Sequence, residues 1–418
     1  MLVAVFLLPW QSRWIYQDLT INGSSWEYGR LSLYAVELLI LLAFVLRGRP
    51  RVAPNLSPFV RCAVLFCGTL LVSASFSQNA TLALASLPHF FSATALFLLL
   101  IDERTNLRHA AWAFVAGLSI PCTLAWYQVV SGTSPVSSWL GLAPHDAATL
   151  GQSVVETVSG RMLRGYGTFP HPNVFGGYLA VGLIALTWLT RGIRTRGTRL
   201  MVAALACLLA STLIITFSRS AWLGAAVGFA LLAGMTIWTR RTVSRRAVLF
   251  VSFILTTMLL TTVAFHSAAF TRLGALDGQT GSRLEARSIE ERIGSYAGFR
   301  DIFLMNAIMG VGPGNDTAAL ATIYPGREAW SYQPVHNAIL LAFAEIGLIL
   351  LFPIIRFLIT FVRLVRMNTS STGALIALSL LIVLFPIALL DHYLWSLWPG
   401  MAVASFTIGF SMRAILDT

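Results

Sequence analysis

Apolar residues run along most of this chain in uninterrupted stretches, set apart by short polar segments. Crossing a bilayer as a helix takes about 20 such residues. The pattern predicts spans at 31–46, 59–76, 80–101, 109–130, 174–190, 200–216, 220–238, 247–265, 337–362, 373–390 and 394–412. A short apolar start, Met1–Pro9, reads as a partial further span and brings the total to about twelve. The fold class is therefore all-α, a polytopic transmembrane helical bundle.

The polar segments set a topology. Arginine-bearing loops fall at Arg47–Arg51, Asp102–Arg108, Arg191–Arg199, Arg240–Arg246 and Arg363–Arg366. Threading the spans puts all of them on one side with the C-terminus, and positive loops mark the cytoplasmic side. The other side receives the 10–30 segment, the 131–173 loop, the Phe217–Ser220 turn, the 266–335 loop and the Asp391–Tyr393 turn. The chain thus divides into helices over 1–265 with an outer loop at 131–173, a large outer loop at 266–335, and C-terminal helices over 336–418. A loop longer than about 12–15 residues is usually functional. Within the second one, Ser288–Asn306 carries Ile289, Ile293, Tyr296, Ile302 and Phe303 at helical spacing, which predicts an amphipathic helix along the surface.

Composition agrees. Hydrophobic residues make up 56% of the 418 and charged ones 11%, against about 25% charged in soluble proteins. The net charge is +12 and no lysine occurs. Most of that charge sits in short loops where it sets topology, so nucleic acid is not the partner; membrane lipids are. Cys62, Cys67, Cys122 and Cys207 lie in apolar runs without CxxC spacing, which suggests neither a zinc site nor a disulfide framework.

Candidate chemistry gathers on the outer side. Arg164-Gly165-Tyr166-Gly167-Thr168-Phe169-Pro170-His171-Pro172-Asn173 enters a span. Arg219 sits in a tight turn between two spans, Arg292 and Arg300 in the long loop with Arg283 and Arg287, His336-Asn337 at the start of an apolar run, and Asp391-His392-Tyr393 in another tight turn. Arginine is disfavoured on that side, so Arg219 is either snorkelling to headgroups or holding an anionic phosphate. His336 is either a helix cap or a base for a sugar hydroxyl. Asp391-His392 either polarises it or ends a helix. The glycines of Gly310-Val311-Gly312-Pro313-Gly314-Asn315 either cradle phosphate or form a turn. No Asp-x-Asp or paired acidic motif lies on this side, so no metal and no cofactor is expected, and a diphosphate would be neutralised by arginine.

Taken together and in this order, Gly167-Thr168-Phe169 with Pro172-Asn173, Ser218-Arg219-Ser220-Ala221-Trp222, Arg292 followed by Gly310–Asn315, and His336-Asn337 with Glu345-Ile346-Gly347 resemble the O-antigen ligase and polymerase superfamily of GT-C type membrane glycosyltransferases. The resemblance spans roughly Arg164 to Gly409. It implies a bacterial inner-membrane enzyme with its active site on the periplasmic face and its C-terminus in the cytoplasm. It implies a glycan donor linked to undecaprenyl diphosphate, and lipid A–core (ligase) or another glycan (polymerase) as acceptor. His336 would be the base, with Arg219 and Arg292 catalytic at the diphosphate. Arg164, His171, Asn173, Asn337, Arg300, Asp391 and His392 would line the substrate site. A transporter or flippase of a lipid-linked sugar is the reading from another class. It needs charged residues at mid-membrane and two related halves; Glu37 and Glu345 are the buried acids on offer, and no matching halves are visible.

Overall fold

A computed structural model describes residues 1–157, 160–239, 245–274, 283–368 and 372–416, with the backbone alone at 283–289 and 372. Part of the Arg240–Arg246 loop, a stretch of the 266–335 loop, and the side chains of Arg283 and Arg287 lie outside the described residues. The described residues hold ten helices long and apolar enough to cross a membrane, from Ser57–Ser75 to Trp398–Leu416. Each overlaps an expected span. The all-α polytopic bundle is therefore the fold.

Three expected spans take other forms. The 31–46 stretch supplies only the thirteen-residue helix Ala35–Arg47, and the N-terminal start only the six-residue helix Leu2–Leu7. The 337–362 run is broken: Ala338–Ile346 stops at Gly347, whose φ is +75°, and the chain restarts as the span Leu348–Met367. A Cβ at Gly347 would lie 2.3 Å from the Ile308 carbonyl oxygen, so the break needs glycine twice over.

The 10–30 segment is not a plain loop. Arg13–Ile21 and Ser24–Tyr34 pair antiparallel about Asn22-Gly23, both with positive φ. That is the Asn-Gly geometry whose twist suits a two-residue hairpin. In the long loop, the helix Arg283–Met305 covers the expected 288–306 segment.

The helix Pro172–Leu189 is buried along its whole length and forms the centre of the bundle. Gly177 lets Tyr393 close on it: a Cβ there would meet the phenol oxygen at 2.2 Å. At one end of the bundle, Arg104 donates to the carbonyls of Arg47 and Arg49, and Arg108 to that of Arg191. Three of the arginine-bearing loops thus sit side by side.

Candidate active site

The beginning of the central helix Pro172–Leu189 is where distant segments meet. His171 caps it, with Nδ1 accepting from Asn173 N and Nε2 2.8 Å from Ser153 Oγ. Asn173, in the first turn, is a two-sided link. Its Oδ1 accepts from Arg164 Nη2 at 2.7 Å, and its Nδ2 donates to Asp391 Oδ2 at 2.7 Å. A guanidinium and a carboxylate are thereby joined through one amide, which meets each with the matching dipole.

Arg164 is 4% exposed and also donates from Nε to Thr216 O and from Nη2 to Phe217 O. Phe217 has φ +48°, a sparsely populated conformation for a bulky residue. Its carbonyl takes a second guanidinium, Arg272 Nε, at 3.2 Å. The strained turn before Arg219 is therefore clamped by two buried arginines, and such strain gathers at functional sites. Arg219 itself is half-buried and reaches the Arg272 carbonyl at 3.5 Å.

On the other side lies the His336-Asn337 pair. Asn337 is the cap of Ala338–Ile346, its Oδ1 accepting from Ile339 N and Leu340 N. With the cap supplied by its neighbour, His336 is left over. Its Nδ1 is buried and has no hydrogen-bond partner among the described residues. The same holds for Nε of Arg292, which is close enough to bear on the His336 charge. The His336 ring stands edge-on to that of His392, centroids 5.2 Å apart, and Ala338 N donates to the Asp391 carbonyl, tying the two segments together. His392 Nδ1 is 2.7 Å from Ser396 Oγ.

Burial, then His392 and Arg292 against the pull of Asp391, lowers His336 to a pKa of about 4. Burial and then Arg164 lower His171 to about 3. Both imidazoles are neutral at neutral pH. For Asp391, burial pushes upward, but the neighbouring imidazoles and the Asn173 amide outweigh it, and the group is lowered into its ionised form. A neutral imidazole with a nitrogen left without a hydrogen bond among the described residues, an anion beside it and guanidinium groups around it can take a proton while an anionic leaving group is held.

Of the residues named from sequence, the structure brings Arg164, His171, Asn173, Arg219, Arg292, His336, Asn337, Asp391 and His392 to one end of the bundle. It does not bring Arg300 there. Eight residues beyond Arg292, roughly 12 Å along the helix, Arg300 is exposed and engages Asp301 at 2.9 Å. The glycine-rich loop is a clasp: Val311 N and Gly312 N donate to Ala344 O and Glu345 O, and Asn315 Oδ1 accepts from Asn79 N. Gly165 N and Gly167 N are likewise committed, to Ile215 O and Gln128 Oε1. The turn alternative holds for these glycines. Two residues of the cluster went unnamed from sequence. Arg272 carries no local signal. Tyr28, edge-on to His392 at 6.0 Å, comes from the hairpin that Asn22-Gly23 announces.

Beside the cluster, between Ser57–Ser75, Ala80–Ile101 and the C-terminal helices, runs an apolar groove of about 430 Å³ lined by Phe59, Phe66, Phe90, Phe97, Phe343 and Trp395. Ala338 and Leu394, each two residues from a site histidine, also line it.

Residues 203–355 match a protein-family model described as O-antigen ligase. The matched stretch includes Arg219, Arg272, Arg292, His336 and Asn337, and it supports the resemblance drawn from the motifs. No curated protein matches the chain.

Proposed function

With an O-antigen ligase domain over residues 203–355 as premise, we propose that this multi-pass membrane protein is an inverting, metal-independent glycosyltransferase. It moves a glycan from undecaprenyl diphosphate to a hydroxyl of lipid A–core, on the periplasmic face of the bacterial inner membrane. The observation that carries the reading is the pair of buried nitrogens without a hydrogen-bond partner among the described residues, His336 Nδ1 and Arg292 Nε, at the end of the bundle where Arg219 also lies.

The acceptor hydroxyl gives its proton to the neutral imidazole of His336. The oxygen forms a bond to the anomeric carbon as the bond from that carbon to the phosphate oxygen breaks. The electron pair leaves with undecaprenyl diphosphate, held by Arg219 and Arg292. Preorganised groups of this kind are worth roughly 3–4 kcal/mol each in other enzymes. The ionised Asp391 stabilises the imidazolium formed, as orienting carboxylates do. Arg164 Nε, His171 Nδ1 and Asn337 Oδ1 are taken up by backbone and cap contacts, so these residues brace the site. The prenyl chain lies in the phenylalanine-lined groove, whose lining includes Ala338 and Leu394, near the site histidines in sequence.

The test is transfer by purified protein in nanodiscs, given the lipid-linked glycan and lipid A–core. His336→Ala and Arg219→Ala should fold and make no product, and transfer should continue in EDTA. Full activity of His336→Ala removes it as the base; loss in EDTA restored by magnesium overturns the metal-free step. Chain growth on lipid-linked repeat units without lipid A–core would assign polymerisation instead.

A further inference from the structure

A second recess adjoins His392 through Tyr28 and Ser396. It is enclosed by the hairpin, the start of Ala80–Ile101 and the segment around Trp395–Trp398, with a volume of about 90 Å³. It is lined by Tyr28, Ser86, Asp316, Glu345, Trp395 and Trp398. Asp316 is 2% exposed, and its Oδ2 is buried with no hydrogen-bond partner among the described residues. A buried polar atom left unsatisfied is costly and calls for a partner. Glu345 is held by Trp395 Nε1, which donates to Oε2 at 2.8 Å.

The recess is continuous with the catalytic end. Tyr28 lines it and packs on His392; Ser396 lines it and sits 2.7 Å from His392 Nδ1. Arg164, Arg219, Arg272 and Arg292 gather with the histidines, whereas the recess is lined by charges of both signs, Glu27, Asp316 and Glu345 with Arg13 and Arg30. Arg13 donates to the Tyr34 hydroxyl and Arg30 lies 3.9 Å from Asp18.

We propose that this recess is the acceptor subsite and takes a neutral, hydroxyl-rich sugar ring whose free hydroxyl is presented to His336, an assignment that rests on the glycan-transfer reading above. The anionic diphosphate is drawn to the arginines around the histidines, which leaves the recess, with its mixed charges, to the acceptor. Burial, then Glu345, raises Asp316 well above the usual carboxyl range. A protonated carboxyl both donates and accepts, as a sugar hydroxyl does. The indole and phenol faces of Trp395, Trp398 and Tyr28 give the apolar surface on which a ring's C–H face can rest.

The experiment is saturation-transfer difference NMR on the full chain in nanodiscs. The probes are the methyl pyranosides of glucose, galactose and mannose, with inorganic pyrophosphate as competitor and binding of labelled undecaprenyl diphosphate measured alongside. Ring-proton saturation should appear for at least one pyranoside and survive pyrophosphate. It should fall at least fivefold in Asp316→Leu and in Ala85→Met, with undecaprenyl diphosphate binding unchanged in both. Ala85 is a half-buried lining residue, so the second variant fills the recess without removing a hydrogen bond. It decides the matter if Asp316→Leu does not fold. No saturation in the unaltered protein, equal saturation in a folded variant, or displacement by pyrophosphate overturns the assignment. Absence of undecaprenyl diphosphate binding by the unaltered protein strikes the donor reading instead.

Discussion

Replacing Asn173 with aspartate tests the link that joins the two halves of the site. In the native arrangement the amide oxygen faces Arg164 and the amide nitrogen faces Asp391, each at 2.7 Å. Asn173→Asp keeps the first contact and converts the second into two carboxylates at hydrogen-bond distance. A hydrogen bond to a charged group is worth about 1.5–3 kcal/mol, and two carboxylates sharing one buried site cannot both ionise. The loss is therefore at least about 1.5–3 kcal/mol, with a proton bound to the pair at neutral pH. Combining Asn173→Asp with Asp391→Asn restores the bond with donor and acceptor exchanged, since the amide now stands on the C-terminal side and donates to the carboxylate on the central helix. Thermal unfolding in detergent should show a lowered midpoint for Asn173→Asp and recovery of most of it in the double variant. Glycan transfer should fall about tenfold or more with the single change, as 1.4 kcal/mol corresponds to tenfold. A single variant as stable and active as the unaltered protein, or a double variant no better than the single, would refute the link.

Other outcomes follow from the same geometry. His336 is held neutral down to a pKa of about 4, so the acid limb of kcat/KM, which reports the free enzyme, should fall near pH 4; a limb at the ordinary 6.5 contradicts this. The unfolded chain binds the extra proton between those values, so stability should rise with pH across roughly 4 to 6.5 and level off above, as read by unfolding midpoints over that range. Arg300→Ala should keep transfer within about twofold, because its guanidinium engages Asp301 outside the cluster; a larger loss places it in the site. Asn337→Ala removes a helix cap and should cost about 0.5–2 kcal/mol in an unfolding measurement, while Asn337→Ser should recover most of that.

The spans were legible because a helix in lipid must satisfy its own backbone, so long apolar runs admit one reading. The break at Gly347 was not. Apolar residues flank it on both sides, and only the approach of the Ile308 carbonyl demands the turn. The hairpin could have been read: Asn22-Gly23 between two β-prone runs is a strong turn signal, and Tyr28 reaches the site from it. His336 and Arg219 stood out from sequence because polar groups at a membrane edge need a reason. The bond between Asn173 and Asp391 did not, since 218 residues separate them and only the packing of the central helix joins them. The choice between cap and base at 336–337 likewise needed coordinates, which assign the cap to Asn337.

The most direct measurement is cryo-EM of the protein with the undecaprenyl diphosphate-linked glycan bound. The account places the diphosphate density against Arg219 and Arg292, with the anomeric carbon facing His336 and the prenyl chain between Phe90 and Phe357 in the apolar groove. Diphosphate density at the opposite end of the bundle, among Arg104, Arg108 and Arg191, would contradict it.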